Sequence, residues 1–165
     1  MAFNWFRKDK KAHLTLLAPI SGKCFPLEDV PDKVFSQKIL GDGVAIQPVP
    51  GEGQILSPVD GKIILVAETG HAVGIQAANG REFLIHYGLD TVELNGRGFT
   101  ALVESGAQVS AGDPLLSVDL AVMAEAGINP ITMFLIVNDG PEIPTFHYGA
   151  LVKKGEDPVI SMEAK

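Results

Sequence analysis

The chain has 165 residues, 46% of them hydrophobic and 20% charged. That is one domain with a full apolar core, and the mix excludes wholesale disorder. A single cysteine, Cys24, excludes an internal disulfide framework and a cysteine-cluster metal site. The net charge is −7, with +3 on residues 1–11 and −10 on the remainder. A body this acidic argues against nucleic acid as a partner and suits basic protein partners.

Residues 1–13 read as a flexible basic and aromatic tail, and residues 14–165 as a single domain. Phe3, Trp5 and Phe6 interleave with Arg7, Lys8, Lys10 and Lys11. That pattern suits weak contact of residues 1–11 with an anionic membrane surface; a solvated terminus is the plain alternative. No apolar run reaches the ~20 residues of a membrane span, and the start lacks the apolar stretch of a signal peptide. The expected compartment is the cytoplasm.

The 18 glycines and 11 prolines break the chain into short pieces, which favours many strands. Alternating and β-branched runs predict strands at 14–18, 43–47, 54–56, 61–67, 72–77, 82–87, 115–119 and 132–137, with weaker signals at 149–153 and 158–162. One helical turn is expected at 31–35, and short helices at 98–105 and 120–126. Ala18-Pro19-Ile20-Ser21-Gly22-Lys23 recurs 39 residues later as Ser57-Pro58-Val59-Asp60-Gly61-Lys62. Each copy reads as strand, turn, strand, which suggests a duplicated sandwich. The fold class is all-β, with short helical segments.

The segment from Glu68 to Gly88 carries the chemistry. Asn79-Gly80 signals a two-residue hairpin turn, which sets Val73 opposite His86. His71 then shares that face, and the two imidazoles can meet as diagonal neighbours. A one-residue slip would place them on opposite faces. Three readings are open. The histidines are unrelated; or they are half of a zinc site, with Cys24, Asp90 or His147 as third ligand; or they move a phosphoryl group. In the last case a neutral imidazole is the nucleophile and its neighbour stabilises the charge in transit. The chain has no G-x-x-x-x-G-K-[ST] loop, so the phosphate would come from another protein. Thr69 can orient an imidazole. Asp32 and Asp90 can ring the site, and Phe35, Ile39, Leu40 and Leu84 can form an apolar collar. His13 and His147 read as incidental.

Several segments carry a family resemblance. They are Ala18 to Gly22, Val30-Pro31-Asp32-Lys33-Val34-Phe35, Gly41-Asp42-Gly43-Val44-Ala45-Ile46 and Ser57 to Gly61. They continue in Glu68-Thr69-Gly70-His71-Ala72, Leu84-Ile85-His86-Tyr87-Gly88-Leu89-Asp90-Thr91-Val92, Leu94-Asn95-Gly96-Arg97-Gly98-Phe99 and Val109 to Asp113. The chain resembles the glucose-class enzyme IIA of the bacterial phosphoenolpyruvate-dependent sugar phosphotransferase system. The resemblance implies a compact antiparallel β-sandwich of the duplicated hybrid motif type. It implies that His86 accepts a phosphoryl group from phosphohistidine on HPr and passes it to a cysteine of an enzyme IIB domain. It implies that His71 hydrogen-bonds that group and assists its transfer, and that Thr69 orients the site. Asp32, Asp90 and the collar would face the partners. No cofactor is required. A zinc ion shared by His71, His86 and a regulatory partner's carboxylate is known in such relatives, and some relatives regulate other proteins by phosphorylation state. The alternatives are a zinc-dependent hydrolase using both histidines and a regulatory binding module without transfer. Family members often carry bulkier residues at positions 67 and 84 than Ala67 and Leu84. Residues 138–146 match no familiar pattern.

Overall fold

The computed structural model describes residues 13–164. The tail expected over residues 1–13 thus lies, apart from His13, outside the described residues. The first strand, β1 (Leu14–Leu17), begins the described sheet structure. It is followed by β2 (Gly22–Pro26), a 3-10 turn (Leu27–Asp29) and a short α-helix (Lys33–Ser36). Then come β3 (Asp42–Pro48), β4 (Gln54–Leu56), β5 (Gly61–Val66), β6 (Ala72–Ala77) and β7 (Glu82–Tyr87). A second 3-10 turn (Thr91–Leu94) leads to β8 (Phe99–Ala101), β9 (Gln108–Val109) and β10 (Pro114–Val118). A helix (Leu120–Glu125), β11 (Thr132–Ile136), β12 (Glu142–Phe146), β13 (Leu151–Val152) and β14 (Pro158–Ala164) complete the chain.

Eight strands form one antiparallel sheet in the order β13-β2-β3-β11-β7-β6-β5-β9. Two three-stranded sheets, β1-β14-β12 and β4-β10-β8, cover one of its faces. The main core fills the space between them. Val44, Ile46, Ile75, Phe83, Ile85, Tyr87 and Phe134 point in from the large sheet, and Leu16, Ile55, Leu116 and Ile160 meet them from the small ones. β7 alternates between buried and half-buried residues, whereas β3 and β6 are buried over most of their length. The other face of the large sheet carries a smaller apolar cluster. Ala45, Met133 and Leu135 lie there beneath Leu27, Val30, Phe35 and Leu89. β11 is therefore buried on both faces, which explains its unbroken apolar run.

The sequence repeat is a structural one. Each copy is a strand, a three-residue bend and a second strand. Leu17 N–H donates to Pro58 O at 3.0 Å, and Leu56 N–H donates to Pro19 O at 2.9 Å, a reciprocal pair across the repeat. Gly22 pairs with Pro48 and Val152; Gly61 pairs with Ala77 and Val109. Both glycines are needed for close approach. A Cβ would stand 2.0 Å from Gln47 O at position 22 and 2.4 Å from Gln76 O at position 61. Carried through the ladders, this symmetry matches β3 to β6 and β11 to β7, with the axis at the Phe134–Ile85 pair.

Three expectations fail. β8 stands where a helix was expected over 98–105, because Leu116 pairs with Ala101 and Val118 with Phe99. Three strands escape the alternating pattern, of which β9 is only the two residues Gln108–Val109. β2 is obscured by Pro26 at its end, and β12 by Pro144 within it, on the sheet edge where proline is tolerated. The Asn79-Gly80 hairpin is not a two-residue loop. Ala77 N–H donates to Arg81 O at 2.9 Å, so residues 78–80 form a three-residue loop with Gly80 at φ 89°. The register therefore shifts by one and sets Ala72, not Val73, opposite His86. Among the described residues no helix is long and apolar enough to cross a membrane.

Candidate functional site

His86 sits on β7 beside Met133 of β11, on the sheet face away from the main core. Phe83, Ile85 and Tyr87 alternate inward, so Leu84 and His86 must point outward. Phe35, only 5% exposed, lies edge-on to the His86 ring at 5.0 Å between centroids. The short helix is held there by Asp32, whose carboxylate caps it by accepting from Val34 N–H at 2.9 Å.

His71 meets His86 despite the shifted register. The ring centroids are 4.8 Å apart, with the planes nearly perpendicular. By strict alternation His71 would point inward. It does not, because it precedes β6 and follows Gly70 at φ 77°, a left-handed turn that breaks the alternation. Its carbonyl still accepts from Tyr87 N–H at 2.9 Å, which fixes its height beside β7. Thr69 Oγ1 is hydrogen-bonded to His71 Nδ1. Phe99 tilts against the far side of the His71 ring at 6.4 Å and stands edge-on to Tyr87 at 5.9 Å.

Burial holds both imidazoles neutral. The His86 pKa is lowered to about 4, first by desolvation and then by the His71 charge that would oppose its own. The backbones of Gly88 and His86 and the Asp32 carboxylate counter this shift. Burial lowers the His71 pKa as well. His86 Nδ1 is buried without a well-formed hydrogen bond among the described residues, so solvent reaches the ring at Nε2. The arrangement offers one accessible imidazole lone pair, neutral near pH 7, beside a second imidazole anchored through its far nitrogen.

The other expected residues divide. Asp90 is exposed beyond β7, at φ 58°, and caps the second 3-10 turn without a side-chain bond among the described residues. Of the apolar collar, Ile39 and Leu40 are open to solvent at 65% and 44%. Phe35 is buried and Leu84 packs on the smaller cluster, so they support the surface more than they form it. The exposed apolar surface has members missing from the expected set. Val34 lies on the short helix, Val92 on the 3-10 turn, and Ile64 and Leu65 on β5. A β-bulge between Ile63 and Leu65 turns both toward this face, and a Cβ on Gly74 would stand 3.1 Å from Leu65 Cβ and 3.5 Å from Ile64 Cγ1. Phe99 was hidden by the helix expectation. The bulge leaves no signature in the sequence.

Among the described residues no third ligand for the zinc alternative stands beside His71 and His86. Cys24 is buried in the main core and burial raises its pKa to about 11. His147 Nε2 lies 2.9 Å from Ser161 Oγ on the β14 side. Among the described residues no group of three or more His, Cys, Asp or Glu side chains stands together.

An antiparallel duplicated sandwich with a paired-histidine surface defines a class, and comparison with known proteins identifies it. Residues 14–141 match the family described as phosphoenolpyruvate-dependent sugar phosphotransferase system, EIIA 1. The chain belongs to that family and is a phosphotransferase component, a phosphocarrier in sugar uptake. It is similar to the glucose-specific EIIA component of Oceanobacillus iheyensis, 50% identical over 125 residues, 76% of this chain and 74% of that one. The corresponding component of Staphylococcus epidermidis is 41% identical over 160 residues, 94% and 93% of the two chains. The solved glucose permease IIA from Mycoplasma capricolum superposes with a TM-score of 0.81 at 38% identity, covering 90% and 95%.

Proposed function

We propose that His86 Nε2 accepts a phosphoryl group from phosphohistidine on HPr and delivers it to a cysteine thiolate of an enzyme IIB domain. The observation that carries this is the protonation geometry. His86 is neutral above about pH 4, its Nδ1 edge is buried, and its Nε2 edge is open beside His71. In the first step the Nε2 lone pair attacks phosphorus as the donor's P–N bond breaks, and the donor imidazole leaves with that electron pair. In the second, the thiolate attacks and the P–Nε2 bond breaks, which returns His86 to its neutral form.

His71 stabilises the group in transit. Its Nε2 can donate to a phosphoryl oxygen only if that nitrogen carries the proton. In the neutral ring this requires the Thr69 hydroxyl to donate into Nδ1, so Thr69 selects the tautomer. The two partners use one surface in turn. Val34, Ile39, Leu40, Leu65 and Val92 supply its apolar area, and Asp32 and Asp90 attract basic residues. Phosphorylation adds roughly −1.5 to −2 charge at its centre, by which regulatory partners can tell the states apart. The chemistry needs no cofactor. Two imidazoles fit only half of a zinc site, which a partner's carboxylate would have to complete.

Intact mass tests this after incubation with phosphoenolpyruvate, enzyme I and HPr. Wild type should gain one acid-labile phosphoryl group and His86→Ala none. His71→Ala should accept phosphate but donate it poorly. An unlabelled wild type beside active controls overturns the proposal.

A further inference from the structure

The tripeptide Asn-Gly-Arg occurs twice, at 79–81 and at 95–97. Asparagine before glycine is chemically labile, because glycine leaves its own backbone nitrogen unobstructed. That nitrogen can attack the asparagine side-chain carbonyl carbon. The two copies share their local chemistry and differ in what the fold does to them.

The first copy is restrained at every reacting group. Gly80 N–H donates to Ala77 O at 2.9 Å. Asn79 Oδ1 accepts from Arg81 N–H at 3.0 Å, and Asn79 Nδ2 donates to Glu142 Oε2 at 3.4 Å. The second copy is held through other backbone groups, with Asn95 N–H donating to Val92 O at 3.2 Å, Arg97 N–H to Leu94 O at 3.1 Å and Phe99 N–H to Gly96 O at 3.2 Å, but its reacting groups are free. Asn95 is exposed, at φ 54° and ψ 38°, where it closes the 3-10 turn. Among the described residues neither its side chain nor the Gly96 N–H has a hydrogen-bond partner.

We infer that Asn95 is a site of spontaneous deamidation, and that the change is felt at His71. Gly96 N attacks Asn95 Cγ, the Cγ–Nδ2 bond breaks, and ammonia leaves with the displaced amide proton. Water then opens the succinimide to aspartate or to isoaspartate, in which the main chain runs through the side-chain carbons. Gly96 faces the Thr69 backbone across about the width of one methyl group. A Cβ at Gly96 would stand 3.6 Å from Thr69 O and 3.7 Å from Thr69 Cα. Thr69 in turn holds His71 Nδ1. The extra main-chain atom of isoaspartate moves Gly96 and disturbs the residue that orients the imidazole. The modification does not depend on the phosphoryl-transfer reading; its consequence for transfer does.

The test is peptide mass mapping of the full chain through a mildly alkaline incubation, folded and in denaturant. In the folded protein Asn95 should convert faster than Asn79. Each native hydrogen bond that must break slows the reaction, so a difference of about tenfold or more is expected. In denaturant the two rates should converge, and Asn95→Gln should abolish the change at 95. Equal rates in the folded protein, or no conversion at Asn95, overturn the inference. The His71 ring resonances are compared before and after conversion, in the absence of any partner. A shift supports the coupling through Thr69, and unchanged resonances in the isoaspartate form overturn it. This readout involves no phosphate, so it stands or falls separately from the transfer reaction.

Discussion

Thr69 touches one atom of the site, and in the proposed mechanism its hydroxyl sets which nitrogen of His71 carries a proton. Thr69→Val removes the hydroxyl and keeps the shape. One net hydrogen bond is worth about 1 kcal/mol, so phosphoryl donation should slow roughly fivefold, and Thr69→Ser should restore it. Acceptance assayed separately from donation checks this. The His86 pKa has a second consequence. A group whose folded pKa lies below its unfolded value binds protons more readily in the unfolded chain. Stability should therefore fall as pH drops from about 6.5 toward about 4. His86→Ala should flatten that part of the curve, as denaturant midpoints across the window would show. Over the same window His86 stays neutral in the folded protein, so under the proposed mechanism acceptance should not be lost through it. The sequence singled out His71, His86, Thr69 and Asp32, and the structure places them close together. Their geometry was legible only in part. The hairpin register was one residue off, and the imidazoles meet because the Gly70 turn frees His71 from strand alternation.

Residues 138–146, silent in the sequence, become an element with a purpose. They supply β12 and a clasp on the β6–β7 turn. Arg81 Nη1 donates to Glu142 O and Oε1 at 3.1 and 3.0 Å, and Nη2 donates to Asn138 O at 3.2 Å. Asn138 returns two bonds, accepting from Glu82 N–H and donating to Gly80 O. The side chains of Arg81 and Glu142 are only 7% and 10% exposed. Glu142→Ala should cost about 2 kcal/mol, because it strands a buried guanidinium. The double replacement Arg81→Met with Glu142→Leu should cost less than that single change, as thermal unfolding would reveal. No spacing rule joins Arg81 to Glu142 across 61 residues, which is why the clasp was not legible in the sequence. Long-range ion pairs are invisible without an alignment, and a proline within a strand counts against it in any propensity argument.

At the scale of the molecule the internal repeat was legible and predicted the architecture. Gly22 and Gly61 are equivalent positions, so Gly22→Ala and Gly61→Ala should carry similar penalties. Each forces a Cβ onto a neighbouring carbonyl, at about 3 kcal/mol or more. Gly51→Ala, with φ 86° but open space around it, should cost only about 1 kcal/mol. Urea midpoints of the three variants test whether the symmetry seen in the backbone is also energetic. The ladders that relate the halves reach the site. They place Leu135 as the counterpart of His86, and Asp42, between Gly41 and Gly43, as the counterpart of His71.

The duplicated frame therefore has two seats and one occupant. Leu135 is fully buried beneath the smaller apolar cluster, whereas His86 lies at that cluster's rim. The half that carries Leu135 is roofed by that cluster, and the half that carries His86 stays open at its rim. Copying Asp42→His and Leu135→His into the second half would not make a two-headed carrier. The new nucleophile would sit under the roof formed by Leu27, Val30 and Phe35, out of any partner's reach.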